Sequence, residues 1–271
     1  MIGWGRATPV ARLSLQKDAR LESRAPSEMP DLLASSFLIA AAVAVVAGMV
    51  RGFAGFGAAM LMTPVFSALY GPEIGVSLCL MLEVIVALPL LPRAVEHVDW
   101  RRIGLLLVAA AIGVPVGNLT LTQVAPEPMR WAISAIVLSA VALLASGWRY
   151  HGKPKPGPTL IAGVISGFLN GLAGMAGPPI AFYYLASKES VERVRANLTT
   201  YFVFVDIAAL LAFVARDLVR WDTGITGLCL APAVIAGGLL GERLFPLASD
   251  GFYRRLALVL LVAVAIGSLI L

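Results

Sequence analysis

Two apolar stretches studded with glycine, AGMVRGFAGFGAAMLMTPV at Ala47–Val65 and AGVISGFLNGLAGMAGPPI at Ala162–Ile180, align on each other without a gap. Gly48, Gly52, Phe53, Met60 and Pro64 fall on Gly163, Gly167, Phe168, Met175 and Pro179. Glycine and proline interrupting a hydrophobic segment at matching places in two halves points to a carrier, because backbone unwound within a bilayer must line a polar cavity or be buried in protein. The surrounding chain is apolar enough to place both stretches in a membrane. It is 59% hydrophobic and 14% charged, with a mean hydropathy of +0.87, where a soluble domain carries about a quarter charged residues.

A hydrocarbon core about 30 Å thick takes about 20 apolar residues to cross as a helix. Such runs occur eight times, at 36–68, 74–92, 103–122, 129–148, 159–186, 197–215, 224–241 and 254–271. The sequence therefore predicts an all-α polytopic integral membrane protein of about eight transmembrane helices. The two runs that carry the glycine motif exceed a straight crossing, and Thr63–Pro64 and Pro178–Pro179 behind the glycines predict a break in each. Trp100 aligns with Trp221, and Gly113 and Gly117 with Gly237 and Gly241. The chain thus divides into two homologous four-segment repeats, 35–148 and 159–271, joined by a proline-rich basic linker at 149–158 and preceded by a disordered tail at 1–34. The first and fifth segments are expected to face each other. Over eight crossings, the Lys and Arg distribution favours both termini inside. Re-entry of the fifth segment in place of a crossing would invert the second half and improve its charge bias.

Glycines spaced by four, such as Gly48/Gly52, Gly163/Gly167, Gly113/Gly117 and Gly237/Gly241, are a membrane packing device. The denser set of Gly55, Gly57, Asn170, Gly171, Gly174 and Gly177, beside the prolines, reads as cavity-lining unwound backbone. The candidate substrate site is therefore Gly55, Phe56 and Gly57 from the first copy and Asn170, Gly171, Leu172, Ala173 and Gly174 from the second. Three ionisable residues lie inside apolar spans: Arg51, Glu83 and Asp206. Charge at membrane depth costs at least about 2.5–3.5 kcal/mol, which makes each a functional candidate. Arg51 reads either as a planar cationic fork for an oxyanion or as a side chain snorkelling to the headgroups. Glu83 and Asp206 suit proton relay or cation coupling. The alternatives for them are a salt bridge to Arg51 or hydrogen bonds holding helices together.

Other signals exclude more than they suggest. GWRYHGK at Gly147–Lys153 has phosphate-loop spacing, but Pro154 replaces the hydroxyl residue, so no nucleotide cofactor is implied. Cys79 and Cys229 stand singly in spans and His97 and His151 in loops, without metal-ligand spacing. No catalytic residues are expected; an embedded enzyme would have only Glu83 with Asp206 to work with. The net charge of +5 comes from residues flanking the spans and does not imply nucleic-acid binding; membrane lipid is the expected surround, and contact of the basic tail with anionic lipid is weakened by its interspersed acids. Asn197, Thr199, Thr200 and Tyr201 are either polar groups for a cavity or interhelical hydrogen-bonding groups.

Together, GFAGFGAA with Pro64, EHVDWRRIG with the following GVPVG, and GFLNGLAGMAGPP resemble the sulfite exporter TauE/SafE family, also called the 4-toluene sulfonate uptake permease family. The resemblance covers about Ser36–Leu271. Ala58 and Ala59 stand where that family carries further glycines, which leaves the first copy less free to unwind. The resemblance implies a multi-pass secondary carrier of the bacterial inner membrane, without cofactor or metal, for sulfite, an organosulfonate or another small sulfur-containing anion. A proton or cation as coupling ion and a homo-oligomer are compatible with it. Open alternatives are a carrier for a carboxylate or metal ion and a non-transporting membrane assembly protein.

Overall fold

A computed structural model describes residues 34–146, 156–185 and 191–244. The predicted last span at 254–271, nearly all of the predicted tail and most of the predicted linker lie outside the described residues. Those described are helical, with no strand among them. Helix α1 is Ser35–Ala54, α2 Ala58–Tyr70 and α3 Pro72–Ala87. The four-residue α4, Leu91–Ala94, lies between short 3-10 turns. There follow α5 (Trp100–Gln123), α6 (Pro126–Ala145), α7 (Pro156–Ala173), α8 (Gly177–Leu185), α9 (Val191–Val214) and α10 (Trp221–Leu244). Helix α7 starts at Pro156, inside the predicted linker, because proline is well placed in a first helical turn.

Five segments are long and apolar enough to cross a bilayer: Ser35–Phe53, Pro72–Leu90, Trp100–Gln123, Arg193–Val214 and Trp221–Leu244. Their outward faces carry Val108, Ile112, Leu211 and Leu228, each exposed, while Thr63, Asn118, Ser166 and Asn170 are buried inside. The large apolar side chains exposed on these faces fit a hydrocarbon surround. Exposed Trp100, Trp131 and Trp221 stand at or near helix starts, where an amphipathic ring suits the membrane interface.

Glycine contacts fix the helix directions. A Cβ placed on Gly237 would strike the Val45 carbonyl, and one on Gly241 the Met49 carbonyl, so α1 and α10 run parallel. Gly227 faces Leu78 and Met81 while Gly238 faces Val86, so α3 points the same way. Helix α2 turns into α3 at Gly71 and packs antiparallel to it, with Gly75 against Phe66 and Ser67. Helix α2 therefore runs back along α1, and the Tyr70 hydroxyl returns close to the Ser36 side chain. In the second half, Gly163, Gly167 and Gly171 press on Leu106, Ala110 and Val114, so α7 runs parallel to α5. Helix α8 returns along α7, with the Thr159 and Tyr183 hydroxyls 2.7 Å apart and Ser166 Oγ donating to the Ala176 carbonyl at 2.7 Å.

These directions correct the expectation of eight simple crossings. Neither glycine segment crosses as one broken span; each folds back as a helical hairpin. Because α5 starts at the end where α3 finishes, α1–α2 enters from one face and α7–α8 from the other. The cause is backbone handedness. Gly55 and Gly57 adopt φ of 77° and 98°, and Gly174 adopts 65°, a left-handed region that reverses the chain and that other residues enter at a cost. The prolines do not make the breaks: Pro64 lies inside α2 and Pro178–Pro179 inside the first turn of α8. The fold-back also moves the charged loops. The N-terminal end of α1 lies at the face opposite Arg101 and Arg102, so the two cannot share one side of the membrane.

The four-spaced glycines pack helices, as their spacing suggests. Gly48 and Gly52 lie against the backbone of Val234 and Gly238, and Gly113 and Gly117 against Val164 and Phe168, so closely that no Cβ fits. The first helix of each half thus embraces the third helix of the other. Asp99 caps α5 by accepting from the Arg102 N–H and donates its own N–H to Asn197 Oδ1 at 2.9 Å, which sets the start of α5 beside α9.

Candidate functional site

Where α1 ends, the Gly55 N–H donates back to the Arg51 carbonyl at 2.7 Å, and Gly57 caps the N-terminus of α2. Where α7 ends, the Gly174 N–H donates to the Asn170 carbonyl at 2.8 Å, and α8 begins three residues later. The hairpin tips meet inside the bundle. Thr63 Oγ1 of α2 donates to the Ala173 carbonyl at 2.8 Å, tying one tip to the other. The tips share a cavity of about 10 Å³, walled by Gly57, Met60, Gly174, Gly177, Arg51 and Asp206, among others. That is room for about one water. The N-termini of α2 and α8 both open onto it, and helix N-termini favour negative charge.

All three intramembrane charges come together here. Arg51, Glu83 and Asp206 are 2%, 3% and 3% exposed, and all three line the cavity. Arg51 Nη1 stands 3.2 Å from Glu83 Oε2, an attraction of charges without hydrogen-bond alignment. The guanidinium carbon lies 4.8 Å from the centroid of the Phe202 ring, which faces the cation with its negative π surface. Arg51 Nε and Nη2 have no hydrogen-bond partner among the described residues. Arg51 therefore does not snorkel to the headgroups. Asp206 has no ion pair among the described residues, and Asn170 lies within hydrogen-bonding reach of it. Asn170 Nδ2 donates to the Val205 carbonyl at 3.2 Å.

The other predicted site residues surround the cavity without lining it. Gly55 sits under the Arg195 side chain, Phe56 packs near Gly177, and Gly171 is a packing glycine held against the Val114 carbonyl. Leu172 and Ala173 are buried beside the second tip. Asn197 and Tyr201 tie helices together: Tyr201 donates to Ser166 Oγ at 2.9 Å. Thr63, Phe202, Met175 and Ala176 are not foreseen as site groups, whereas Gly177 is read as cavity-lining backbone and does line the cavity. Only the proline beside Thr63 and the second glycine cluster hinted at two of them.

An open vestibule of about 470 Å³ lies at one face, between the end of α3, α4, the start of α9 and the end of α10. Its walls include Val86, His97, Arg195, Thr199 and Glu242. Val86 is one helical turn from Glu83, and Thr199 one turn before Phe202, so its floor adjoins the charged cluster. Arg195 Nη2 donates to the Gly52 carbonyl at 3.0 Å, which places a cation over the C-terminal end of α1.

Paired hairpin tips, a buried cation and a one-sided vestibule are the parts of a membrane carrier. The family model of the sulfite exporter TauE/SafE matches residues 40–268, and the chain belongs to that family. The family is one of transporters, so this protein is a multi-pass membrane transporter and not an enzyme. A protein of Cupriavidus necator described as "Probable sulfite/organosulfonate exporter TauE" is 26% identical over 219 residues, which span 78% of this chain and 84% of that protein. No solved structure matches the chain.

Proposed function

We propose that the protein is a secondary carrier of sulfite or a small organosulfonate in the bacterial inner membrane, and that the anion binds at the meeting of the two hairpin tips. One observation carries this reading: a buried, permanently charged guanidinium, two of whose N–H-bearing nitrogens have no partner among the described residues, facing two helix N-termini. A sulfonate presents oxygens in a geometry that a guanidinium fork binds in pairs. The sulfite/organosulfonate exporter name of the Cupriavidus necator relative supports the same cargo.

The cavity, at about 10 Å³, is too small for a sulfonate, so the described conformation is closed at the site while the vestibule stands open. In this reading access alternates, the hairpin tips parting to admit cargo from one face and then from the other. Among the described residues, the vestibule face gathers Arg101, Arg102, Arg193, Arg195 and Arg243 against Arg130, Arg216 and Arg220 at the opposite face, a bias that supports a cytoplasmic vestibule.

The test is uptake of labelled sulfite and sulfoacetate by proteoliposomes. The expected result is saturable flux that Arg51→Gln abolishes. Flux equal in Arg51→Gln and wild type would exclude this site.

A further inference from the structure

The central site holds one cation against two carboxylates, and among the described residues only one of those carboxylates has an ion-pair partner. We propose that the site loads a monovalent anion together with one proton, that the proton resides on Asp206 while Glu83 stays ionised against Arg51, and that each transport cycle is therefore electroneutral. This rests on the anion-carrier reading above and adds the coupling ion, its stoichiometry and its residue.

The geometry separates the two acids. Glu83 Oε2 is 3.2 Å from Arg51 Nη1, so its charge is compensated. Asp206 lines the same cavity at 3% exposure without an ion pair among the described residues. The groups that face it are Arg51 from α1, Glu83 and Cys79 from α3, and Tyr201 from its own helix. Helix α7 offers Asn170, which does not titrate, and the second hairpin tip offers backbone. A second anion brought into this cavity would face an uncompensated carboxylate in a medium that screens poorly. A proton taken up on Asp206 as the anion arrives removes that repulsion, leaves the total charge of the site unchanged, and gives the carboxyl an O–H to donate to the cargo. The proton comes from water on the loading side and leaves to water on the release side. Thr199, Phe202 and Asp206 share one face of α9, so Asp206 lies two turns below the vestibule floor.

The experiment measures labelled sulfite, moving as bisulfite, and labelled isethionate in proteoliposomes, with protein-free vesicles subtracted. An imposed pH gradient and an imposed membrane potential are applied separately. The expected wild-type result is accumulation of about tenfold per unit of pH gradient, the ratio that one proton per anion sets, with no response to potential. Asp206→Asn, which fixes a neutral side chain, is expected to lose accumulation driven by the pH gradient and to become responsive to potential. Wild-type flux that follows potential and ignores the pH gradient overturns the proposal whether or not that variant folds. Absence of flux for both anions overturns the carrier reading itself, and the coupling with it.

Discussion

The two hairpins share one glycine register and use it differently. The shift that places Gly163 on Gly48 places Ser166 on Arg51. In the first hairpin that position holds a buried cation aimed at the cavity; in the second it holds a hydroxyl that donates to the Ala176 carbonyl and accepts from Tyr201. The first tip therefore supplies charge, and the second supplies a tied frame. Two hairpins can keep the same packing glycines while only one of them carries a charged side chain into the shared cavity.

The largest effect that would sharpen this contrast is expected at Arg51. Arg51→Gln should abolish sulfite flux and lower stability by about 3–5 kcal/mol, because Glu83 is left buried without its partner. The double variant with Glu83→Gln should recover most of the stability, read by thermal unfolding in detergent, and none of the flux. Recovery of flux would break the assignment of charge to the first tip.

A smaller difference separates the glycines that pack from those that turn. Gly52→Ala places a methyl group against the Gly238 carbonyl, so α1 and α10 must part, at about 1–3 kcal/mol. At Gly55 the nearest atoms to an added Cβ are 3.7 Å away, so Gly55→Ala meets only the left-handed backbone penalty of about 1–2 kcal/mol. Asparagine should restore much of the loss at Gly55 and none at Gly52, as measured by melting temperature. Equal behaviour at both positions would remove the distinction. The smallest effect is expected in the second hairpin: Ser166→Ala should cost about 1 kcal/mol and leave sulfite affinity within a few-fold of wild type.

Much of this was legible in the sequence. The glycine clusters marked both places where the helices end, and the small-residue spacing marked the packing faces of α1, α5, α7 and α10. The three intramembrane charges pointed to the cluster before any geometry existed. What spacing could not say was direction. A glycine cluster announces unwinding, but whether the chain continues or turns back depends on the left-handed φ of Gly55, Gly57 and Gly174. Small residues mark a face without naming its partner, so the pairing of α1 with α10 was hidden. The roles of Glu83 and Asp206 were also hidden, since only distance shows which acid Arg51 compensates.

Cryo-electron microscopy of the protein in nanodiscs with a saturating sulfonate tests the central claim most directly. The account predicts anion density between the guanidinium of Arg51 and the backbone of Gly174–Gly177, with the two hairpin tips moved apart. Density confined to the vestibule beside Arg195, with the tips unmoved, would contradict it.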